Sequence, residues 1–311
     1  MSRSIFRPRK SRAPRVAGAL LVVVVVVVGG ALTFGRSKST SPGTRLNVVA
    51  GENFWGNITA QIGGSHVAVT SILSDPSTDP HLYESDASTA AKVSGADLVI
   101  ANGVGYDDFL DKLVSASPNS HRKVLSMATA LKVSGDNPNP HLWYDVPHVN
   151  QAAKAIEEAL AAQDPRHAKD FKANLTRFDQ SLKPILAVIA SIKTDYPGAP
   201  VAYTERVPGY LLAASGLEVK TPPGFAAALE DGNDPSPADV RTMNDLMTNR
   251  GVKVLLYNSQ ATSAVTVHVR ALAKQVGVPI VAVTETIPPS EKTYQSWQLD
   301  QARAIEQALS Q

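Results

Sequence analysis

The sequence predicts an α/β protein with two lobes of parallel sheet flanked by helices, joined by one long backbone helix. Three observations carry this reading. Short β-branched runs alternate with longer helix-like stretches, these runs fall into two sets, and a glycine-free stretch rich in Ala, Lys and Glu separates the sets. In the first set, residues 46–50, 67–73, 98–102 and 123–126 read as strands, each followed by enough chain to return to a parallel start. Between the sets, residues 149–196 place Phe171, Leu175, Phe178, Leu182, Ile185, Ile189 and Ile192 at three- and four-residue steps, an amphipathic helix. Asp164-Pro165 should interrupt it, with Asp164 capping a new start, and Pro184 should bend it. In the second set the strands fall at 201–204, 254–258 and 279–284. Open parallel sheets bind ligands outside the carboxyl ends of their strands, so the cleft between two such lobes is the expected site. A helix across the joint makes it stiff.

Composition bounds the rest. The chain has 311 residues, 43% hydrophobic and 19% charged, with no Cys, which excludes a disordered chain and a disulfide scaffold. Net charge is +2, but residues 1–36 hold seven basic groups and no acid, leaving the remainder acidic by five. The basic balance therefore belongs to the leader, and no nucleic-acid partner follows from it. An apolar run at 17–34, with unbroken valine at 22–28, follows the basic flank and gives way to a Ser-rich segment. Residues 1–36 thus read as a signal peptide or signal anchor. The run is near the ~20 residues that cross ~30 Å of hydrocarbon, so it could also anchor the protein. The positive flank stays cytoplasmic, which places the rest outside the plasma membrane, in the periplasm or on the outer face. The domains expected are a first lobe at 46–146, a linking helical region at 147–196 and a second lobe at 197–311.

The chemistry is carried by two internal echoes. Asp79-Pro80-His81-Leu82-Tyr83 returns as Asn139-Pro140-His141-Leu142-Trp143, each in a turn-rich loop after a strand. Proline fixes its own φ and biases the residue before it, so the backbone bearing each imidazole is set before a ligand arrives. Asp79 or Glu84 could orient His81, and Asp145 could orient His141. In the second half, Val201-Ala202-Tyr203-Thr204-Glu205 is echoed by Val281-Ala282-Val283-Thr284-Glu285, each an apolar strand ending in Thr-Glu. Two imidazoles from one lobe and two carboxylates from the other suit one divalent cation. The remaining candidates take ordinary roles. His66, His121, His148, His167 and His268 read as surface or satisfied residues. Asp107-Asp108 and Glu230-Asp231 with Asp234 read as solvated loops or caps, and Trp55, Trp143 and Trp297 as packing residues. Gly103-Val104-Gly105 lacks the third glycine of a dinucleotide fingerprint.

With these residues in view, the sequence resembles the metal-receptor proteins of ABC transporters, the TroA-like zinc/manganese substrate-binding group. The resemblance spans residues 46–311. It rests on Glu52-Asn53-Phe54-Trp55-Gly56, the DPHLYE and NPHLWYD stretches around His81 and His141, Pro235-Ser236-Pro237-Ala238-Asp239, and Tyr257-Asn258-Ser259-Gln260. Val283-Thr284-Glu285-Thr286 and Thr293-Tyr294-Gln295-Ser296-Trp297 complete it. It implies a non-catalytic, monomeric receptor that captures Mn or Zn as cargo between its lobes and delivers it to an ABC permease in the plasma membrane. Carried over by position, His81, His141, Glu205 and Glu285 are the implied metal ligands. The chain departs from the group in lacking a lipobox Cys and a His/acid-rich loop between His81 and His141, and in having Glu where manganese-type members commonly have Asp. Two rival readings stand beside it. A secreted metallohydrolase would use the same cluster with one Glu as general base, and a surface adhesin is compatible with the same fold.

Overall fold

A computed structural model describes residues 45–75 and 83–311 of the chain. The leader at 1–36 with its apolar run at 17–34, and His81 with most of its motif, lie outside the described residues. Among the described residues no helix is long and apolar enough to cross a membrane.

The first lobe runs β1 (Leu46–Glu52), α1 (Asn53–Gly63), β2 (Val67–Leu73), α2 (Ala87–Ser94), β3 (Leu98–Ala101), α3 (Asp108–Ala116), β4 (Lys123–Ser126) and α4 (Met127–Ala130). The connecting region holds α5 (Val149–Gln163), α6 (Ala168–Ser181) and α7 (Lys183–Asp195). The second lobe follows as β5 (Pro200–Tyr203), α8 (Gly209–Ala214), β6 (Glu218–Val219), α9 (Pro223–Glu230), α10 (Pro237–Thr248), β7 (Val254–Asn258), α11 (Ala264–Val276), β8 (Ile280–Val283) and α12 (Tyr294–Leu309).

Each sheet has four strands, ordered β2-β1-β3-β4 and β6-β5-β7-β8, and every pair is parallel. The second sheet therefore repeats the topology of the first. In both, the chain leaves the first strand to one side and returns on the other, which opens a crevice at the carboxyl ends of β1 with β3 and of β5 with β7. β3 and β7 are buried along their whole length, as strands covered by helices on both faces must be. The short β6 has no counterpart among the sequence expectations, because two residues beginning with an exposed Glu218 carry no periodicity.

The connection is bent and segmented. At Asp164 the chain breaks rather than being capped. The carboxylate accepts from His167 Nδ1 at 2.6 Å and Arg166 Nε at 3.2 Å, with no backbone N–H, and Pro165 opens a 3₁₀ turn. This turn lets α5 pack against α6. A second break falls at Leu182, where Pro184 occupies the first turn of α7, a position that needs no N–H. The apolar stripe survives the second break: Phe171, Phe178, Leu182, Ile185, Ile189 and Ile192 are all buried. α6 packs on α1, whereas α7 packs on α12, so the Leu182 break falls where the connection passes between lobes.

One apolar core runs through both lobes, from Val48 and Ile100 to Leu256 and Val283. At its centre Phe54 stacks on Trp143 with ring centroids 3.9 Å apart, and Trp297 and Tyr144 close the column. Trp55, Trp143 and Trp297 are buried packing residues, as expected. Polar clamps border this core. Tyr294 Oη donates to Trp143 O at 2.6 Å and Tyr144 Oη to Thr284 O at 2.7 Å. Asn53 exchanges two hydrogen bonds with the backbone of Ile287, both 2.9 Å, and Gln61 meets Gln295 from α12.

Candidate metal centre

The site forms where strand ends from both lobes converge. His141 is fully buried and sits just before a 3₁₀ turn. Its loop is fixed from behind by Asn102, which follows β3 and donates to Pro140 O at 2.8 Å. Asn139 then orients the imidazole. Its Oδ1 accepts from the His141 backbone N–H at 3.1 Å and from Nδ1 at 2.7 Å, while its Nδ2 donates to Arg206 O. An acceptor on Nδ1 places a ring proton there and fixes the orientation of the imidazole, as the outer partner of a metal-binding histidine does. Nε2 faces Glu285 Oε2 at 3.6 Å.

The two glutamates come from the second lobe, each two residues past the end of its strand. Glu205 is 2% exposed and Glu285 is 0% exposed. Asn258, the last residue of β7, joins them: its Nδ2 donates to Glu205 Oε2 and to Glu285 Oε1, both at 2.8 Å. Gln260 Oε1 accepts from the backbone N–H of Glu285 at 2.5 Å and of Thr286 at 2.9 Å, which holds the loop after β8. Tyr106 Oη reaches across from the first lobe and donates to Glu285 Oε2 at 2.8 Å. Burial, with the charge of Glu285 beside it, pushes the Tyr106 phenol far up, so it remains a donor.

The structure thus brings His141, Glu205 and Glu285 together around Asn258 and Tyr106. Among the described residues no three His or carboxylate side chains form a complete metal-holding group, and His81 lies outside them. Two buried carboxylates beside an imidazole make a cation-seeking pocket, and mixed N and O donors suit Zn or Mn.

Asn139, Asn102, Asn258, Gln260 and Tyr106 have no role in the sequence reading. The one available signal was the position of Asn258, at the carboxyl end of a strand beside the crevice. Other expectations change. Asp145 holds the exposed His148 at 2.8 Å and does not orient His141, because Asn139 already occupies Nδ1. Glu230 is buried rather than solvated: it takes the backbone N–H of Arg206 at 2.6 Å and its Nε at 2.7 Å, fixing the chain just after Glu205. His66 stacks on His167 with centroids 3.8 Å apart, and His121 and His268 are exposed.

Asp107 is also buried, at 3% exposure, and accepts from the backbone N–H groups of Asn102 and Gly103 at 2.6 and 2.8 Å. It lies against the end of β1, where a methyl on Gly51 would fall 2.9 Å from its Oδ2. Glu52 is fully buried beside it, with no hydrogen-bond donor on either oxygen among the described residues. Burial first, and then the Asp107 charge, push the Glu52 carboxyl well above its ordinary value of 4.5. The folded chain therefore keeps a proton that the unfolded chain releases above that value, so stability falls as pH rises through the window between the two pKa values. Glu52→Gln, neutral at every pH, is expected to flatten this fall and to raise Tm at pH 8 by ~2–4 °C, the response to about 1 kcal/mol. Thermal unfolding of both proteins between pH 5 and 8 checks it; parallel curves would place the proton elsewhere.

Comparison with known proteins adds to this geometry. The family model described as zinc-uptake complex component A, periplasmic, matches residues 48–308. The manganese-binding lipoprotein MntA of Bacillus subtilis is 24% identical over 237 residues, covering 73% of this chain and 75% of that protein. The manganese ABC transporter substrate-binding lipoprotein PsaA of Streptococcus pneumoniae is 23% identical over 259 residues, covering 79% and 81%. Among solved structures, the periplasmic zinc binding protein TroA from Treponema pallidum superposes with a TM-score of 0.72 at 21% identity, over 85% of this chain and 99% of that one.

Proposed function

The chain belongs to the zinc-uptake complex component A family, and from that premise we propose that it captures one Mn or Zn ion outside the plasma membrane and hands it to an ABC permease. As a family member it is an extracytoplasmic solute-binding receptor whose cargo is a divalent transition metal. The ligand set of this reading is His81, His141, Glu205 and Glu285, the first pair from the lobe at 46–146 and the second from the lobe at 197–311, with residues 147–196 linking them. The observation that carries it is the pair of buried glutamates joined by Asn258, one of which, Glu285, lies 3.6 Å from Nε2 of the Asn139-oriented His141. A buried charge pair of this kind is stabilised by a cation and costly without one.

The receptor acts as a monomer, and its role is capture without catalysis. Residues 17–34, when uncleaved, hold it to the membrane. The reading is supported by relatives whose names record manganese and zinc. A metallohydrolase would need an open coordination position and a base free to act on water, whereas each Glu here is held by Asn258 within a closed, buried cluster.

The test is elemental analysis of protein purified without chelator or affinity metal, followed by titration with Zn and with Mn. One ion per chain is the expected result. No bound metal and no response to either ion would remove the receptor reading.

A further inference from the structure

We propose that Arg206 is a positioning residue that latches the two halves of the site together and sets the rate at which the metal is released. The inference rests on the receptor reading above. Arg206 directly follows Glu205, and Asn139 stands two residues before His141. The guanidinium is fixed on its own side by Glu230, the last residue of α9, with Nη2 2.6 Å and Nε 2.7 Å from Oε2. From that anchor it crosses to the loop after α4, where Nη1 donates to Asn137 O at 3.1 Å and Nη2 to Asn137 Oδ1 at 3.3 Å. Asn137 turns both oxygens toward one guanidinium from the left-handed region, at φ 53°, a conformation that Asn tolerates better than most residues.

The backbone of Arg206 makes a second tie. Its carbonyl accepts from Asn139 Nδ2 at 2.8 Å, while Oδ1 of the same amide faces the His141 backbone N–H at 3.1 Å and Nδ1 at 2.7 Å. The orientation of an imidazole on one lobe is thereby completed by a backbone group of the other. Tyr210 Oη, from α8, adds a bond to Asn139 O at 2.9 Å. Gly209 permits this approach, since a methyl there would fall 2.8 Å from Asn139 Nδ2. His141 and Glu205 are 0% and 2% exposed, whereas the Arg206 side chain is 21% exposed, so the latch lies at the rim of the buried cluster. Parting of the Glu205 and His141 segments, which frees an ion held between them, has to break these bonds. It also releases Asn139, so opening and loss of the imidazole's orientation are one event.

Release of Zn and of Mn into excess chelator is followed by stopped flow in the full chain and its variants, with association rates and Tm measured beside it. Asn137→Gly keeps the carbonyl and the positive φ but loses Oδ1. Arg206→Lys keeps a charge for Glu230 but has no fork to bridge Glu230 and Asn137. Both are expected to speed release by ~10-fold, the lower end of the range for losing an outer partner of a metal ligand, with association changed much less. Asn137→Asp sets a carboxylate against the guanidinium and is expected to slow release, a gain that added salt should erase. A role confined to stability would lower Tm and leave the release rates where they are. If Arg206→Lys does not fold, the two Asn137 variants decide alone. Unchanged release in variants that still hold one ion would overturn the latch and leave the receptor reading standing. A wild-type chain that holds neither ion would overturn both.

Discussion

Replacing His141 with alanine is expected to lower affinity for both Zn and Mn by more than about 100-fold while the fold is kept. Losing an outer partner of a metal ligand already costs ~10–100-fold, and His141 is proposed as a ligand itself. Its imidazole is fully buried and oriented by Asn139, with Nε2 3.6 Å from Glu285 Oε2. Removal takes away the imidazole that stands against Glu285. The loop should stay in place, because Asn102 holds Pro140 O and Tyr294 holds Trp143 O, and neither bond uses the His141 side chain. Calorimetric titration beside circular dichroism separates loss of binding from loss of structure. His81→Ala is expected to act in the same direction, and the double variant should carry no ion. Affinity unchanged in His141→Ala would take the metal site away from this cluster.

The largest effect on stability is expected from Trp143→Ala, at ~3–5 kcal/mol, the cost of deleting a fully buried large aromatic side chain. The indole is 0% exposed, stacks on Phe54 of α1 and lies edge-on to His141 at 5.2 Å. Tyr106 tilts against it at 4.9 Å, so the same side chain supports a donor to Glu285. Trp143→Phe should recover much of the loss, because the stack on Phe54 can re-form. Denaturant unfolding measures both variants; a cost below ~1 kcal/mol for alanine would mean the column repacks around the gap. Metal affinity should fall with stability in Trp143→Ala, in contrast to His141→Ala, where the two separate.

The sheets were legible because parallel strands covered on both faces must be apolar throughout, as in β3 and β7. The breaks in the connection were less so. The three- and four-residue stripe from Phe171 to Ile192 continues across Leu182, and periodicity alone does not register a turn that keeps its phase. Glu205 and Glu285 were visible as candidates because each closes an apolar strand with the same Thr-Glu pair. The groups that arrange them were not. Tyr106 meets Glu285 across 179 positions and Asn258 meets Glu205 across 53, so these roles exist only once the lobes have packed. Asp107 and Glu230 misled for a related reason: an acid in a loop looks solvated until its backbone donors or its arginine are brought to it. Asn139, two residues from His141, competed with the charged Asp145 for the same role, and proximity to Nδ1 decided it.

The bonds between α1 and the region of α12 also fix an order of events. Asn53, Asn57 and Gln61 stand on the first helix of the described fold, and their partners Ile287, Tyr294 and Gln295 lie about 234 residues later. A chain that emerges from its start onward meets the partners of α1 last, after both sheets have had time to pair. Closing so long a loop is entropically costly only once, since the cost grows slowly with length. Yet that closure must precede a rigid cleft, because the aromatic column needs Phe54 and Trp297 together. Newly made chains should therefore pass through a stage with paired strands and an unfinished seam between the lobes, exposed to proteases and slow to acquire affinity for metal. The rate at which cargo can first be held is set by the arrival of the last helix.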